Sequence, residues 1–208
     1  EQFPYFRKIA SALGLCVLES PGFEADDVIA TLAQKVESPV IVSGDKDLMQ
    51  LVNERTYIVD PMKDKEIREP EVIEKFGVPP DKVVEVLALT GDTSDNIPGV
   101  KGIGPKTASD LVLRYGGALE ILENVQRIEN DKEIRSRTKV AENLRAHAED
   151  LKISRILVEV KKDAPVIING KALGELSKDE LSEAFSVKEP GGDLLDLAAE
   201  LEFQSLLG

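Results

Sequence analysis

One cysteine, one histidine and no tryptophan occur in these 208 residues, and each shortage removes a class of chemistry. A lone Cys16 cannot close an internal disulfide, so a disulfide-stapled scaffold is excluded and a reducing compartment is compatible with the sequence. Its place in the apolar run LGLCVLE, residues 13–19, predicts a buried thiol. His147 lies in a charged helical pattern and reads as a solvated surface residue. With so few Cys and His side chains, a zinc site and a Cys–His nucleophile pair are left without ligands and partners. Long apolar runs are missing too. None approaches the roughly 18 residues that span a bilayer, and the opening EQFPYFRKIA lacks the charged-then-apolar plan of a signal peptide.

What is present is an ordinary folded composition, 42% hydrophobic and 31% charged, long enough for one substantial core or one core with an appendage. The net charge of −13 argues on average against a nucleic-acid partner. Its distribution is uneven. Residues 99–162 carry 13 basic and 10 acidic side chains, whereas residues 1–98 carry 10 and 19, and residues 163–208 carry 3 and 10. A basic middle lies between two acidic regions, although such a segment is also what a solvated helix face looks like.

The first part alternates helical and strand-like signals. PYFRKIASALG has helical spacing and a C-terminal glycine, Gly14; LCVLE reads as a short buried strand; EADDVIATLAQKV reads as a helix with acids at its start. PVIVSGD predicts a central parallel strand, KDLMQLV a short helix and TYIVD a further strand. That alternation is the pattern of an α/β layer. From about residue 70 the period becomes helical, through EPEVIEKFG, PDKVVEVLALTG, GPKTASDLVLRYGG, ALEILENV and a long IRSRTKVAENLRAHAEDLK. RILVEVKKDAPV adds an extended segment, and the terminal PGGDLLDLAAELEFQSLLG a linker and short helix. The expected division is 1–69, an α/β part, and 70–208, a mainly helical part. Because the chain opens on a helix with no strand before it, the sequence reads as starting inside a domain.

Three acidic clusters fall where regular elements start or stop: Glu24, Asp26 and Asp27; Asp45 and Asp47; Asp92 and Asp95. The first two follow strand-like runs, where ligands of open α/β sheets bind. Asp45 and Asp47, two apart, can point the same way at a strand end, and Asp92 and Asp95, three apart, are neighbours on a helical turn. Each cluster alone reads as well as a helix cap or an acidic turn. Together, seven carboxylates at one sheet edge would repel one another unless cations neutralise them, and oxygen-only ligands select Mg²⁺ or Mn²⁺. Two such ions can carry phosphodiester cleavage without a side-chain nucleophile.

Between the third cluster and the next helix lies GVKGIGPKTA. Gly102 and Gly104 permit close backbone approach, Pro105 suits the first position of a helix, and the N–H groups that follow face outward as an anion site. Lys101, Lys106 and Thr107 flank it. Gly99 and Gly104 have P-loop spacing, but Pro105 stands where the lysine belongs, and Thr107 replaces the third glycine of a dinucleotide fingerprint. What remains is a helix–hairpin–helix grip on a nucleic-acid backbone, spanning Gly99, Lys101, Gly102, Gly104, Lys106 and Thr107, with Ile103 turned inward. Simple helix capping accounts for the turn equally well when it is taken alone.

FEADDVIATLA, VSGDKDLMQLV and ALTGDTSDNIPGVKGIGPKTASDLV, in this order and spacing, resemble the 5′-nuclease (flap endonuclease) superfamily. The best likeness is to the 5′→3′ exonuclease domain of bacterial DNA polymerase I, and it runs to LEFQSLLG at the C-terminus. The resemblance implies a parallel-sheet, PIN/5′-nuclease-like core followed by a helical subdomain with the hairpin motif. It implies that Glu24, Asp26 and Asp27 serve a first metal ion, and that Asp45, Asp47, Asp92 and Asp95 bind or orient a second, with Asp27, Asp47, Asp92 and Asp95 catalytic. Also implied are K⁺ held by hairpin backbone oxygens, and DNA with a 5′ end or flap, or an RNA–DNA primer duplex, as substrate. Polymerase domains continuous with the chain, and a bacterial nucleoid-associated cytoplasmic or organellar location, belong to the same expectation. The family's N-terminal strand, with further Asp ligands, and its basic helical arch would precede Glu1, so this stretch alone is expected to be weak or inactive. Two other readings use part of the pattern: a non-catalytic module that uses the hairpin alone, and a Mg²⁺-dependent phosphatase that uses the acids alone.

Overall fold

The computed structural model describes residues 3–191 and 193–203. It divides into two compact units, one formed by residues 1–28 with 163–208 and one by 29–162. In the first unit, α1 (Phe3–Ala12) is joined by a terminal helix α11 (Asp193–Glu200), and the chain also contributes a β4–β5 hairpin (Ile167–Ile168 and Lys171–Ala172) and α10 (Lys178–Phe185). Ser177 caps α10 through a reciprocal bond pair with Glu180, whose carboxylate accepts the Ser177 N–H at 2.8 Å. The Lys188 N–H donates to Gly14 O, and the Gly191 N–H donates to Ala12 O.

Three expectations fail, two in this unit and one at the end of the second. LCVLE, residues 15–19, forms no strand, and Cys16 is exposed. An apolar run becomes a strand only when a ladder partner satisfies its backbone, and none pairs with it among the described residues. RILVEVKKDAPV is not extended as a whole, because α9 (Ala148–Val158) carries RILV as its last turn. The end of LEFQSLLG lies outside the described residues.

The second unit holds a three-stranded sheet in the order β1 (Val40–Val42), β2 (Tyr57–Asp60), β3 (Lys65–Ile67). β1 and β2 are parallel, joined through a 3₁₀ turn at Asp47–Leu51, whereas β3 returns antiparallel. PVIV is therefore an edge strand and not a central one: Val40 and Val42 are exposed while Ile58 of β2 is fully buried. The β3 return was not expected, since KEI carries no apolar alternation.

Helices α3 (Glu69–Phe76), α4 (Val83–Thr90), α5 (Pro105–Tyr115), α6 (Ala118–Glu123), α7 (Val125–Asn130), α8 (Arg137–Ala146) and α9 complete the unit. α4 is apolar nearly all round, with Val83, Val84, Val86, Leu87, Ala88 and Leu89 all buried, as a central helix must be. It packs on α9, α5 and α6. The expected long helix over residues 134–152 breaks at His147, which ends α8 and precedes α9. His147 is half-buried there, not simply solvated, with Nδ1 2.8 Å from the Asp150 carboxylate. No described helix is long and apolar enough to cross a membrane.

α4 stops at Gly91 (φ 68), and the chain crosses itself at Gly99 (φ 61). A Cβ on Gly99 would lie 2.4 Å from Gly91 N, and one on Gly91 would lie 2.8 Å from Gly99 N. Only glycine fits either place. The fully buried Ser154 of α9 accepts the Gly99 N–H through Oγ at 2.9 Å. Ser154→Ala leaves that N–H unpaired at a cost of about 1–3 kcal/mol. Thermal unfolding should show a midpoint about 2–10 °C lower; an unchanged midpoint would contradict this anchoring.

Candidate metal centre and adjoining turn

Beyond Gly91 the backbone forms a closed loop. The Asp92 N–H donates to Ile97 O at 3.0 Å, and the Ile97 N–H donates to Asp92 O at 2.7 Å. Asp92 and Asp95 thus share a tight loop and not the expected helical turn. The loop still brings their carboxylates together, and Asp47, first residue of the 3₁₀ turn after β1, joins them. One carboxylate oxygen from each of Asp47, Asp92 and Asp95 lies within 4.8 Å of the others, and this is the single group of that kind found among the described residues.

The three are not equivalent. Asp92 is buried and well partnered: Oδ1 accepts the Ser94 N–H at 2.8 Å and the Ser94 hydroxyl, and Oδ2 pairs with Lys46 Nζ at 2.5 Å. Lys46, followed by Ser94, holds the Asp92 carboxyl well below the usual carboxylate range. The same pair raises the Lys46 ammonium. Asp47 is the opposite case. Removal from water, then Asp45, pushes its pKa up to about 6 against the pull of Lys46. Its Oδ1 is buried with no hydrogen-bond partner.

A buried carboxylate oxygen with no donor, on a side chain grouped with two further carboxylates, is an arrangement a hard cation satisfies. Three carboxylates less the Lys46 ammonium leave two negative charges, those of one divalent ion. The residues present therefore fit a metal ion.

Asp45 lies outside the trio. It is exposed, and its Oδ1 accepts the Asp47 N–H at 2.9 Å, so it shapes the turn that presents Asp47. Glu24, Asp26 and Asp27 sit at the N-terminal end of α2 (Ala25–Ala33), in the first compact unit. The Glu24 N–H donates to the Asp27 carboxylate at 3.2 Å, a capping contact. Sequence reasoning passed over Lys46 as the middle residue of GDKD; its alternation between two acids was the available signal.

The turn follows directly. The Ile103 N–H closes it onto Val100 O at 3.0 Å, and the Val100 N–H donates to Leu89 O at 2.8 Å. Ile103 is buried, as expected, and Gly102 lies against the Asn143 amide. Pro105 is the first residue of α5, so the N–H groups of Lys106 and Thr107 precede the first intrahelical donor. Lys101 and Lys106 are exposed and form no ion pair among the described residues. A Cβ on Gly104 would meet nothing within 4 Å, and its φ of −91° suits any residue. Neither strain nor crowding calls for glycine there.

Known proteins share this frame. A family model described as "5'-3' exonuclease, N-terminal resolvase-like domain" matches residues 1–77, and one described as "5'-3' exonuclease, C-terminal SAM fold" matches residues 78–180. The chain belongs to the 5′-3′ exonuclease family. It is 44% identical over 176 residues to a DNA polymerase I of Rhizobium leguminosarum, covering 83% of this chain and 17% of that protein. It is 39% identical over 211 residues to a 5′-3′ exonuclease of Aquifex aeolicus, covering 99% of this chain and 65% of that one. The chain thus spans less than two thirds of either relative. Its fold is similar to that of the bacteriophage T5 D15 flap endonuclease, solved with DNA and metal ions, at a TM-score of 0.58 and 23% identity, covering 86% of this chain and 61% of that one.

An acid whose folded-state pKa is raised costs stability once it ionises. That cost is absent below the ordinary aspartate value of about 4 and complete above about 6. With divalent ions chelated, Asp47→Asn is therefore expected to melt about 2–4 °C higher than the native protein at about pH 7.5. The difference should vanish at about pH 3.5. Calorimetry at the two pH values reads this, and a lower midpoint for the variant at the higher pH contradicts the assigned crowding.

Proposed function

We propose that this chain is part of a metal-dependent 5′ nuclease that hydrolyses DNA phosphodiesters near a 5′ end or flap. The observation that carries the reading is the Asp47, Asp92 and Asp95 trio with its unpartnered Asp47 oxygen, one glycine crossing away from a lysine-bearing turn. Asp47, Asp92 and Asp95 would hold a Mg²⁺ or Mn²⁺ ion, with Asp45 orienting the loop; Glu24, Asp26 and Asp27 would serve a second. Bound there, such ions activate water and stabilise the leaving oxygen.

The remaining tasks fall to the chain's own residues. In this reading, residues 1–69 belong to the nuclease core and residues 70–208 to a helical subdomain whose turn is a helix–hairpin–helix grip. The backbone at Gly99, Gly102 and Gly104, the Lys106 and Thr107 N–H groups and the two lysines hold a duplex backbone without reading bases. Hairpin carbonyls would take K⁺. Support for a nucleic-acid substrate comes from the T5 flap endonuclease solved with DNA and metal ions. The Rhizobium DNA polymerase I, far longer than this chain, supports continuity with polymerase domains. An RNA–DNA primer duplex and a bacterial nucleoid-associated or organellar location complete the proposal.

In the full-length protein, replacing Asp92 and Asp95 by Asn should lower cleavage of a 5′-flap substrate on the order of 100-fold or more while leaving flap binding intact. Retained cleavage rejects the nuclease reading and leaves a binding module. Replacing Lys101 and Lys106 by Ala should weaken DNA binding regardless of sequence. The slope of log affinity against log salt should fall by about 1.8, roughly 0.9 for each phosphate no longer neutralised. A reduction confined to one base sequence contradicts it.

A further inference from the structure

Asp92 of the acid trio and Ile103, Gly104 and Pro105 of the turn line one cavity of about 480 Å³, entirely within the second unit, whose wall is built from α3, α4 and the Gly91–Pro105 loop. Its lining includes Phe76, Leu87 and Ile97, with Asp92 at one side and Gly104 and Pro105 at the other. Two lysines also face it, Lys46 and Lys75. Neither belongs to the turn, and the family motifs place no role on Lys75, the next-to-last residue of α3.

Lys75 is the more telling of the two. Its ammonium lies 5.5 Å from the centre of the Phe76 ring, and among the described residues it forms no ion pair with an acid. Removal from water and the nearby Lys63 and Lys46 charges depress its pKa. Lys63 is engaged by Asp60 at 2.7 Å, and Lys46 by Asp92. The acids facing Lys75 are Asp47 and Asp45, both more weakly felt than the two lysines. Like charges held around an open cavity cost free energy that an entering anion recovers.

Lys46 has a second part in this. Its ammonium lies 2.5 Å from an Asp92 carboxylate oxygen, within the trio that would hold a divalent ion. A cation entering the trio competes with Lys46 for Asp92 and leaves the ammonium free to turn into the cavity. On the nuclease reading above, we infer that Lys46 and Lys75 form a phosphate subsite that holds one phosphodiester of the strand running from the acid trio to the turn. Both act as positioning residues. The phosphate is a backbone phosphate, since Asp92 of the trio and Gly104 and Pro105 of the turn, two parts of the proposed nucleic-acid path, both line the cavity.

The test is equilibrium binding of a 5′-flap duplex oligonucleotide to the full-length protein, followed by fluorescence anisotropy across a salt series with Ca²⁺ present, so that the trio holds a divalent ion and Lys46 is free to face the cavity. Lys75→Gln should weaken binding about threefold to tenfold and reduce the salt slope by about 0.9, with Lys75→Arg close to native. Lys46→Gln, measured with Mn²⁺ alone and no DNA, should bind Mn²⁺ several-fold tighter, because the ion no longer displaces an ammonium. Native affinity and slope in Lys75→Gln, alongside weakened binding in the Lys101 and Lys106 variants, overturn the subsite and leave the nuclease reading standing. Native binding in all of these variants rejects the nucleic-acid reading itself. Unchanged or weaker Mn²⁺ binding by Lys46→Gln overturns the exchange. Competition by millimolar inorganic phosphate equal in native and Lys75→Gln proteins also counts against the subsite.

Discussion

The contact on which the rest of this structure depends is between two stretches of bare backbone. Gly91 and Gly99 approach so closely that neither tolerates a side chain, and both adopt positive φ. Because the chain doubles back there, the loop between them is pinned at both ends, and its carboxylates point toward the turn after β1. The same crossing aims the chain after Gly99 into the lysine-bearing turn and then into α5. The acid-bearing loop and the lysine-bearing turn are therefore two sides of one crossing, fixed by the buried α4 beneath it.

Charge is handled differently on the two sides. Around the trio, repulsion is lessened by a counterion from within the sequence: Lys46 neutralises Asp92, while Asp47 keeps an oxygen with nothing to bind. That asymmetry sets the two pKa values in opposite directions, one carboxyl held low by a lysine and the other raised by lost hydration. On the other side, Lys101 and Lys106 are exposed and have no acidic partner among the described residues. Within the same unit other cations are paired: Glu85 holds Arg155 and the Ala118 N–H, and Glu129 holds Arg145.

Much of this was legible where local chemistry decides. Pro105 opening α5, Gly91 ending α4, the inward Ile103 and the mainly helical character of residues 70–152 all follow from caps, breakers and periodicity. The gathering of Asp47 with Asp92 and Asp95 was also legible, since three acid groups at element ends called for one reason. What sequence missed depended on partners distant along the chain. LCVLE had strand composition but found no ladder, so Cys16 is exposed; KEI lacked strand composition but found β2. The trio was anticipated with the wrong local geometry, because a bridge between Asp92 and Ile97 leaves no trace in residue types. Lys46 looked incidental until its ammonium was found on Asp92.

The hydrogen bond from Gly99 to Ser154 extends this further. Ser154 sits in the middle of α9, against the helix at the centre of the core, so the turn's amide is tied to the most protected part of the second unit. Loops that grasp a polymer commonly owe their adaptability to weak local stability. This one cannot loosen without disturbing the core beneath it. On the nuclease reading, accommodation to an irregular ligand would fall to the lysine rotamers at the rim, with the main chain as a rigid gauge of backbone spacing.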